Sequence, residues 1–153
     1  MEGEGRFMQV SSRFTIALHM FAAMDYFKDK NKITSDFLAS SINVNPVIIR
    51  KIMSQLRDAG LVKVQRGTGG IELTRKPEEI TFFDIFTAVE SLENGQLFHF
   101  HENPNAQCPV GRNIHGILDD KLADIQSGLE DKLRSYTLAD VIWDTDRMIA
   151  QED

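Results

Sequence analysis

The 153-residue chain has little cysteine. Cys108 is the single one, which excludes an intramolecular disulfide framework and a zinc site built from several thiolates. One free thiol suits a reducing compartment, and a cytoplasmic protein is expected. No apolar run reaches the roughly eighteen residues of a membrane-spanning helix. The N-terminus lacks the basic-then-apolar order of a signal peptide, and residues 1–8 read as a flexible leader. The sequence also lacks the marks of an enzyme. There is no triad, no paired-carboxylate site and no cofactor fingerprint, and Asp119-Asp120 and Asp144 with Asp146 read as solvated helix charges. The stretch Arg66-Gly67-Thr68-Gly69-Gly70 is rich in glycine but lacks the Gly-Lys-Ser/Thr ending of a nucleotide loop.

What is present suffices for one domain, or one domain with a helical extension, and for a core without disulfide or metal staples. The net charge of −6 argues at first against nucleic acid. It is unevenly spread. Residues 1–76 carry 12 basic and 7 acidic side chains, while residues 77–153 carry 5 and 16. One half is net +5 and the other −11, so the first can touch a polyanion while the second stays away from it.

Hydrophobic spacing predicts a helix over 11–27, capped by Ser11 or Ser12, with Phe14, Ala17, Leu18, Phe21, Ala22 and Met24 on its buried face. A second helix is expected from Thr34 or Ser35 to about Ser41, with Asn43 tolerating positive φ beyond it. Asn45 as cap and Pro46 in the first position open a third, running to Ala59 and ended by Gly60. The alternating runs 61–65 and 71–74 predict a β-hairpin around the Gly-rich tip. Thr81 with Asp84 resembles a capping box and opens a helix to about Leu92. Residues 93–111 read as an irregular loop, 112–135 as a long helix, and Thr137 with Asp140 as the cap of a last short helix. Phe82, Phe83, Phe86 and Trp143 are expected in core or dimer packing. The fold class is mainly α with a small β-wing: a winged helix-turn-helix over 9–92, a sensor-type loop over 93–111, then a dimerisation helix and short helix over 112–153.

The helix-turn-helix reading has a spacing test. Ala39 supplies the small residue where the helices cross and Asn43 the turn. Leu38, Ile42, Val44, Ile49 and Ile52 supply the apolar positions around them. Asn in place of Gly is the one weak slot. On the third helix Ile49, Ile52, Met53 and Leu56 fall on one side, and Val47, Arg50, Lys51 and Ser54 on the other. Such a helix can enter a DNA major groove, where Arg pairs bidentately with guanine and Lys contacts guanine or phosphate. Asn45 stands at its start. Lys63 and Arg66 flank the hairpin tip, where Gly67, Gly69 and Gly70 lack side chains and allow close approach to the sugar-phosphate backbone; Thr68 counts with them as a DNA-binding residue, and Arg66 probes the minor groove. Residues 44–76 carry 7 basic and 2 acidic groups. The other reading is a winged helix that binds only proteins, which a salt titration of DNA binding separates from the first.

Ile114, Leu118, Leu122, Ile125, Leu129 and Leu133 form a narrow seam that suits a partner helix. In the loop, His99, His101, Cys108 and His115 include borderline-soft metal donors. Loop histidines are more often simply exposed, and no metal is expected. Cys108 reads as a redox sensor if a cation such as Arg112 or a helix N-terminus lowers its pKa, and as a small buried packing residue otherwise. A small-molecule effector between loop and winged domain stays open.

The run VNPVIIRKIMSQLRDAGLVKVQRGTGGIELTRKPEEITFFDIFTAVE (44–90) resembles the DNA-binding core of the Rrf-two family of bacterial transcription regulators. So do SSRFTIALHMF (11–21), CPVGRNI (108–114) and YTLADVI (136–142), and the likeness covers about residues 9–142. It implies a homodimeric winged-helix repressor on a roughly palindromic double-stranded operator. Asn45, Val47, Arg50 and Lys51 would read bases, Arg66 would match the wing arginine, and the long helix would pair the subunits. Cluster-binding members place three cysteines in the loop. Cys108 alone implies the cluster-free branch and no iron–sulfur cofactor.

Overall fold

The computed structural model describes residues 12–65, 70–90, 95–98 and 100–152. The leader, the Ser11 cap, His99 and the wing-tip residues Arg66, Gly67 and Thr68 lie outside the described residues.

Helix α1 spans Ser12–Phe27. It buries Ala17, Met20, Phe21, Ala23 and Met24, whereas Phe14, Leu18 and Ala22 of the expected face are half-buried. The apolar surface is broader than one stripe because α1 is packed by three other helices, α2, α4 and α6, described below.

Helix α2 spans Ser35–Ile42. The Phe37 N–H donates to Thr34 Oγ1 at 3.1 Å, which caps its start. Asn43 follows with φ 63°, and the Val44 N–H returns to the Ala39 carbonyl at 3.1 Å. Helix α3 spans Pro46–Asp58. Its first turn is closed by the Val47 N–H donating to Asn45 Oδ1 at 2.8 Å. Its end is a turn through Ala59 to Gly60 at φ 78°, from which the Leu61 N–H reaches back to the Leu56 carbonyl. Ile49, Ile52, Met53 and Leu56 are all buried.

Strands β1 (Val62–Val64) and β2 (Ile71–Leu73) pair antiparallel, Val62 opposite Leu73 and Val64 opposite Ile71. They are shorter than the alternating sequence runs. Val62 and Ile71 are buried, and Lys63 and Glu72 are exposed. After a 3-10 turn at Pro77–Glu79, α4 spans Phe82–Val89. Its capping box is reciprocal: the Asp84 N–H donates to Thr81 Oγ1 at 3.1 Å and the Thr81 N–H to Asp84 Oδ2 at 3.0 Å. The helix stops before the expected Leu92. Gln55 of α3 donates to the Val89 carbonyl, and Glu90 turns to extended backbone.

Helix α5 spans Pro109–Arg134 and starts before the expected residue 112, since Pro109 suits a first helical position. None of its residues is buried, and in this chain it packs mainly on α4. Helix α6 spans Leu138–Ala150, 13 residues, and opens at the expected Thr137–Asp140 capping box. It lies against α1 and the 3-10 turn, and Leu138 is fully buried. A boundary at 112 groups α6 with the arm, whereas its packing joins it to the winged domain. Two hydrogen bonds secure that return, Phe82 N–H to the Tyr136 carbonyl (2.9 Å) and Leu138 N–H to the Ile80 carbonyl (2.8 Å). Trp143 is 80% exposed and so is not part of this chain's core, which leaves dimer packing as the expectation for it. Phe86 is buried and Phe82 and Phe83 are half-buried, with Phe14 edge-on to Phe82 and Phe86. Among the described residues no helix is long and apolar enough to cross a membrane.

Candidate nucleic-acid interface

The outer face of α3 follows from the burial of its inner face. With Ile49, Ile52 and Leu56 sealed in the core, the helix presents Val47, Arg50 and Lys51 to solvent and Ser54 half-buried beside them. Val47 is 64% exposed. An exposed valine near a helix start is a poor solvent residue and a good contact for a thymine methyl. Asn45 uses its Oδ1 as the α3 cap, which leaves the amide N–H groups as donors. Lys51 has no ion-pair partner among the described residues. Arg50 differs: its Nη2 donates to Asp36 Oδ1 of α2 at 3.4 Å.

On the wing, Lys63 Nζ lies 3.6 Å from Glu72 Oε2, its cross-strand neighbour in register. Gln65 donates to the other oxygen of Glu72, and its N–H closes the hairpin on the Gly70 carbonyl at 2.8 Å. Asp36 and Glu72 are site neighbours that sequence reasoning missed. Glu72 was findable from the strand register. Asp36 was hidden by its 14-residue separation from Arg50.

Along α5, Ile114, Leu118, Leu122, Leu129 and Leu133 are half-buried and Ile125 is 56% exposed. Gln126 clips the preceding segment to this helix: the Leu97 N–H donates to its Oε1 (3.0 Å) and its Nε2 donates to the Gly95 carbonyl (2.9 Å). An open cleft of about 520 Å³ results, lined by Phe98, Phe100, His115, Asp119 and Leu122 among others. His115 stacks near Phe100 at 4.1 Å and faces Asp119 at 3.7 Å, and His101 is exposed. Neither histidine forms a cluster with Cys108. Among the described residues no group of three or more His, Cys, Asp or Glu is placed to hold a metal ion.

Cys108 is exposed at the N-cap of α5, so it is not a buried packing residue. The Gly111 N–H, then the Val110 N–H, hold its thiol below the ordinary range. Arg112 is not among the causes, and its guanidinium donates to the Ala106 carbonyl at 3.2 Å. Gly111 permits this geometry, since a Cβ there would collide with the Asn105 carbonyl oxygen, which accepts the Cys108 N–H.

The Rrf2 family, described as "Iron-dependent Transcriptional regulator", matches residues 10–144. YwnA of Bacillus subtilis (strain 168), which carries the name of an HTH-type transcriptional regulator, is 34% identical over 133 residues, 87% of this chain and 96% of its own. IscR of T. potens superposes with a TM-score of 0.63 at 22% identity, covering 92% of this chain and 90% of that one. CymR, the global cysteine regulator of B. subtilis, superposes with a TM-score of 0.62 at 23% identity, covering 89% and 97%.

Proposed function

The chain belongs to the Rrf2 family of transcriptional regulators, and we propose that it acts in the cytoplasm as a homodimeric repressor of a roughly palindromic operator. The observation that carries this reading is α3, whose inner face is locked in the core and whose outer face offers Val47, Arg50 and Lys51. In the proposal Asn45, Val47, Arg50, Lys51 and Ser54 address bases and nearby phosphates. Lys63 and the tip residues Arg66, Gly67 and Thr68 address backbone and minor groove. The seam from Ile114 to Leu133 pairs two copies, whose two-fold symmetry the operator mirrors.

The residues present do not fit an iron–sulfur cluster. Such clusters take about three or four protein ligands, and Cys108 is the single cysteine of the chain. The proposed regulator therefore works without one. Its effector is an oxidant or electrophile at Cys108, or a small molecule in the cleft beside α5.

Arg50→Ala tests the reading. With an operator selected from randomised duplexes, affinity in a gel shift is expected to fall by about five- to a hundredfold, the worth of one bidentate guanine contact. Wild-type affinity is expected to drop by roughly tenfold or more between 50 and 200 mM salt. An operator affinity unchanged in Arg50→Ala sinks the assignment.

A further inference from the structure

Asp36 is the one acidic residue between Lys30 and Arg57. It sits in the first turn of α2 with its side chain 81% exposed, and its Oδ1 receives Arg50 Nη2 across the helix-turn-helix at 3.4 Å. A carboxylate on a surface meant for phosphates repels them, so its place there calls for an account. The first turn of a helix favours an acidic residue, but that does not require an ion pair with the outward arginine of the next helix. Arg50 in turn has no other ion-pair partner among the described residues.

An arginine side chain samples many rotamers, and a bidentate guanine contact requires one of them. One N–H held by Asp36 leaves the rest of the guanidinium fork open toward the groove. The same carboxylate disfavours a posture in which Arg50 swings to a phosphate. We propose that Asp36 is a specificity-determining, positioning residue, which aims Arg50 at a base edge and withholds it from the sugar-phosphate backbone. The inference rests on the reading of Arg50 given above.

Asp36→Asn keeps the size of the side chain and removes the charge. In its presence the base preference at the Arg50 position should relax, and the ratio of operator to random-duplex affinity should fall by about two- to fivefold, the range of an exposed ion pair. Affinity for random duplex should rise, with a steeper salt dependence as Arg50 gains a phosphate. Asp36→Glu should restore most of the preference. In an Arg50→Ala background, Asp36→Asn should no longer alter the selected motif.

The test is selection from a randomised duplex library with wild type, the three single variants and the double variant, followed by titration at several salt concentrations. A motif and affinity ratio unchanged by Asp36→Asn, while Arg50→Ala changes them, overturns the role of Asp36 alone. A wild-type motif that Arg50→Ala leaves intact, or no wild-type motif, overturns the reading of Arg50 and this inference with it. A fold defect in Asp36→Asn would weaken binding to all duplexes alike, whereas the proposal requires random-duplex affinity to rise while the operator-to-random ratio falls.

Discussion

At Cys108 the backbone sets the chemistry. Two N–H groups of the first turn of α5 face an exposed sulfur and favour its thiolate. Because the folded chain lowers this pKa, the thiolate fraction at neutral pH is higher folded than unfolded, and this advantage develops as pH rises through the folded pKa. Iodoacetamide alkylation of the native protein is expected to show a pH midpoint below that of the denatured chain. Equal midpoints would show that the helix terminus exerts no pull. The sequence carried half of this result. The position of Cys108 before a helix was legible from Pro109 and the apolar spacing beyond it. Its exposure and the diversion of Arg112 to Ala106 were not, because both depend on how the 105–108 turn folds back under Gly111.

Elements whose signals are local matched expectation closely, and those set by tertiary neighbours did not. The turn between α2 and α3 was legible from Asn43, Asn45 and Pro46, since capping and left-handed backbone are properties of single residues. Asn43→Ala, which places a Cβ residue without a helpful amide at φ 63°, is expected to cost about 1 kcal/mol. Asn43→Gly should be neutral or stabilising. Urea denaturation measures both, and equal midpoints for Asn43→Ala and wild type would contradict the strained turn. The end of α4 was not legible, because the group that takes the Val89 carbonyl is Gln55, 34 residues earlier. The face of α1 was read as one stripe and turned out wider, because a helix touched on three sides carries a weaker periodic signal. The outer face of α3 was readable in full as a list of residues. Its electrostatics were not, since Asp36 and Glu72 enter from other elements.

For the whole molecule, α5 is the helix that its own chain buries least. It has 26 residues, about 39 Å of helix, and buries none of them, with Val110, Ile117 and Ile125 more than two-fifths exposed. Isolated helices of this kind depend on packing for stability, which supports a second copy as the cover. Ile125→Glu tests this without touching the core. The variant is expected to keep wild-type helicity, to sediment as a monomer where wild type sediments as a dimer, and to bind its operator at least about tenfold more weakly through loss of the second head. A dimeric Ile125→Glu variant would place the interface elsewhere. The uneven charge also takes on a geography at this scale. The net +5 part of the sequence contains α3 and the wing, and the net −11 part contains α5 and α6. The return of α6 onto α1 was the main feature the sequence hid, since Leu138 reads as an ordinary first-turn leucine until Ile80 is seen beside it.

The paired hydrogen bonds between the 80–82 and 136–138 backbones make the joint of arm and head stiff. In a dimer joined along α5, such a joint turns helix length into angular phase. Each residue of α5 is worth about 100° of rotation and 1.5 Å of rise, while successive half-sites on DNA share a face about every 10.5 base pairs. In the proposed dimer, the number of residues between the seam and Tyr136 therefore acts as a gauge. It sets which operator spacings both heads can meet at once, independently of which bases either head prefers.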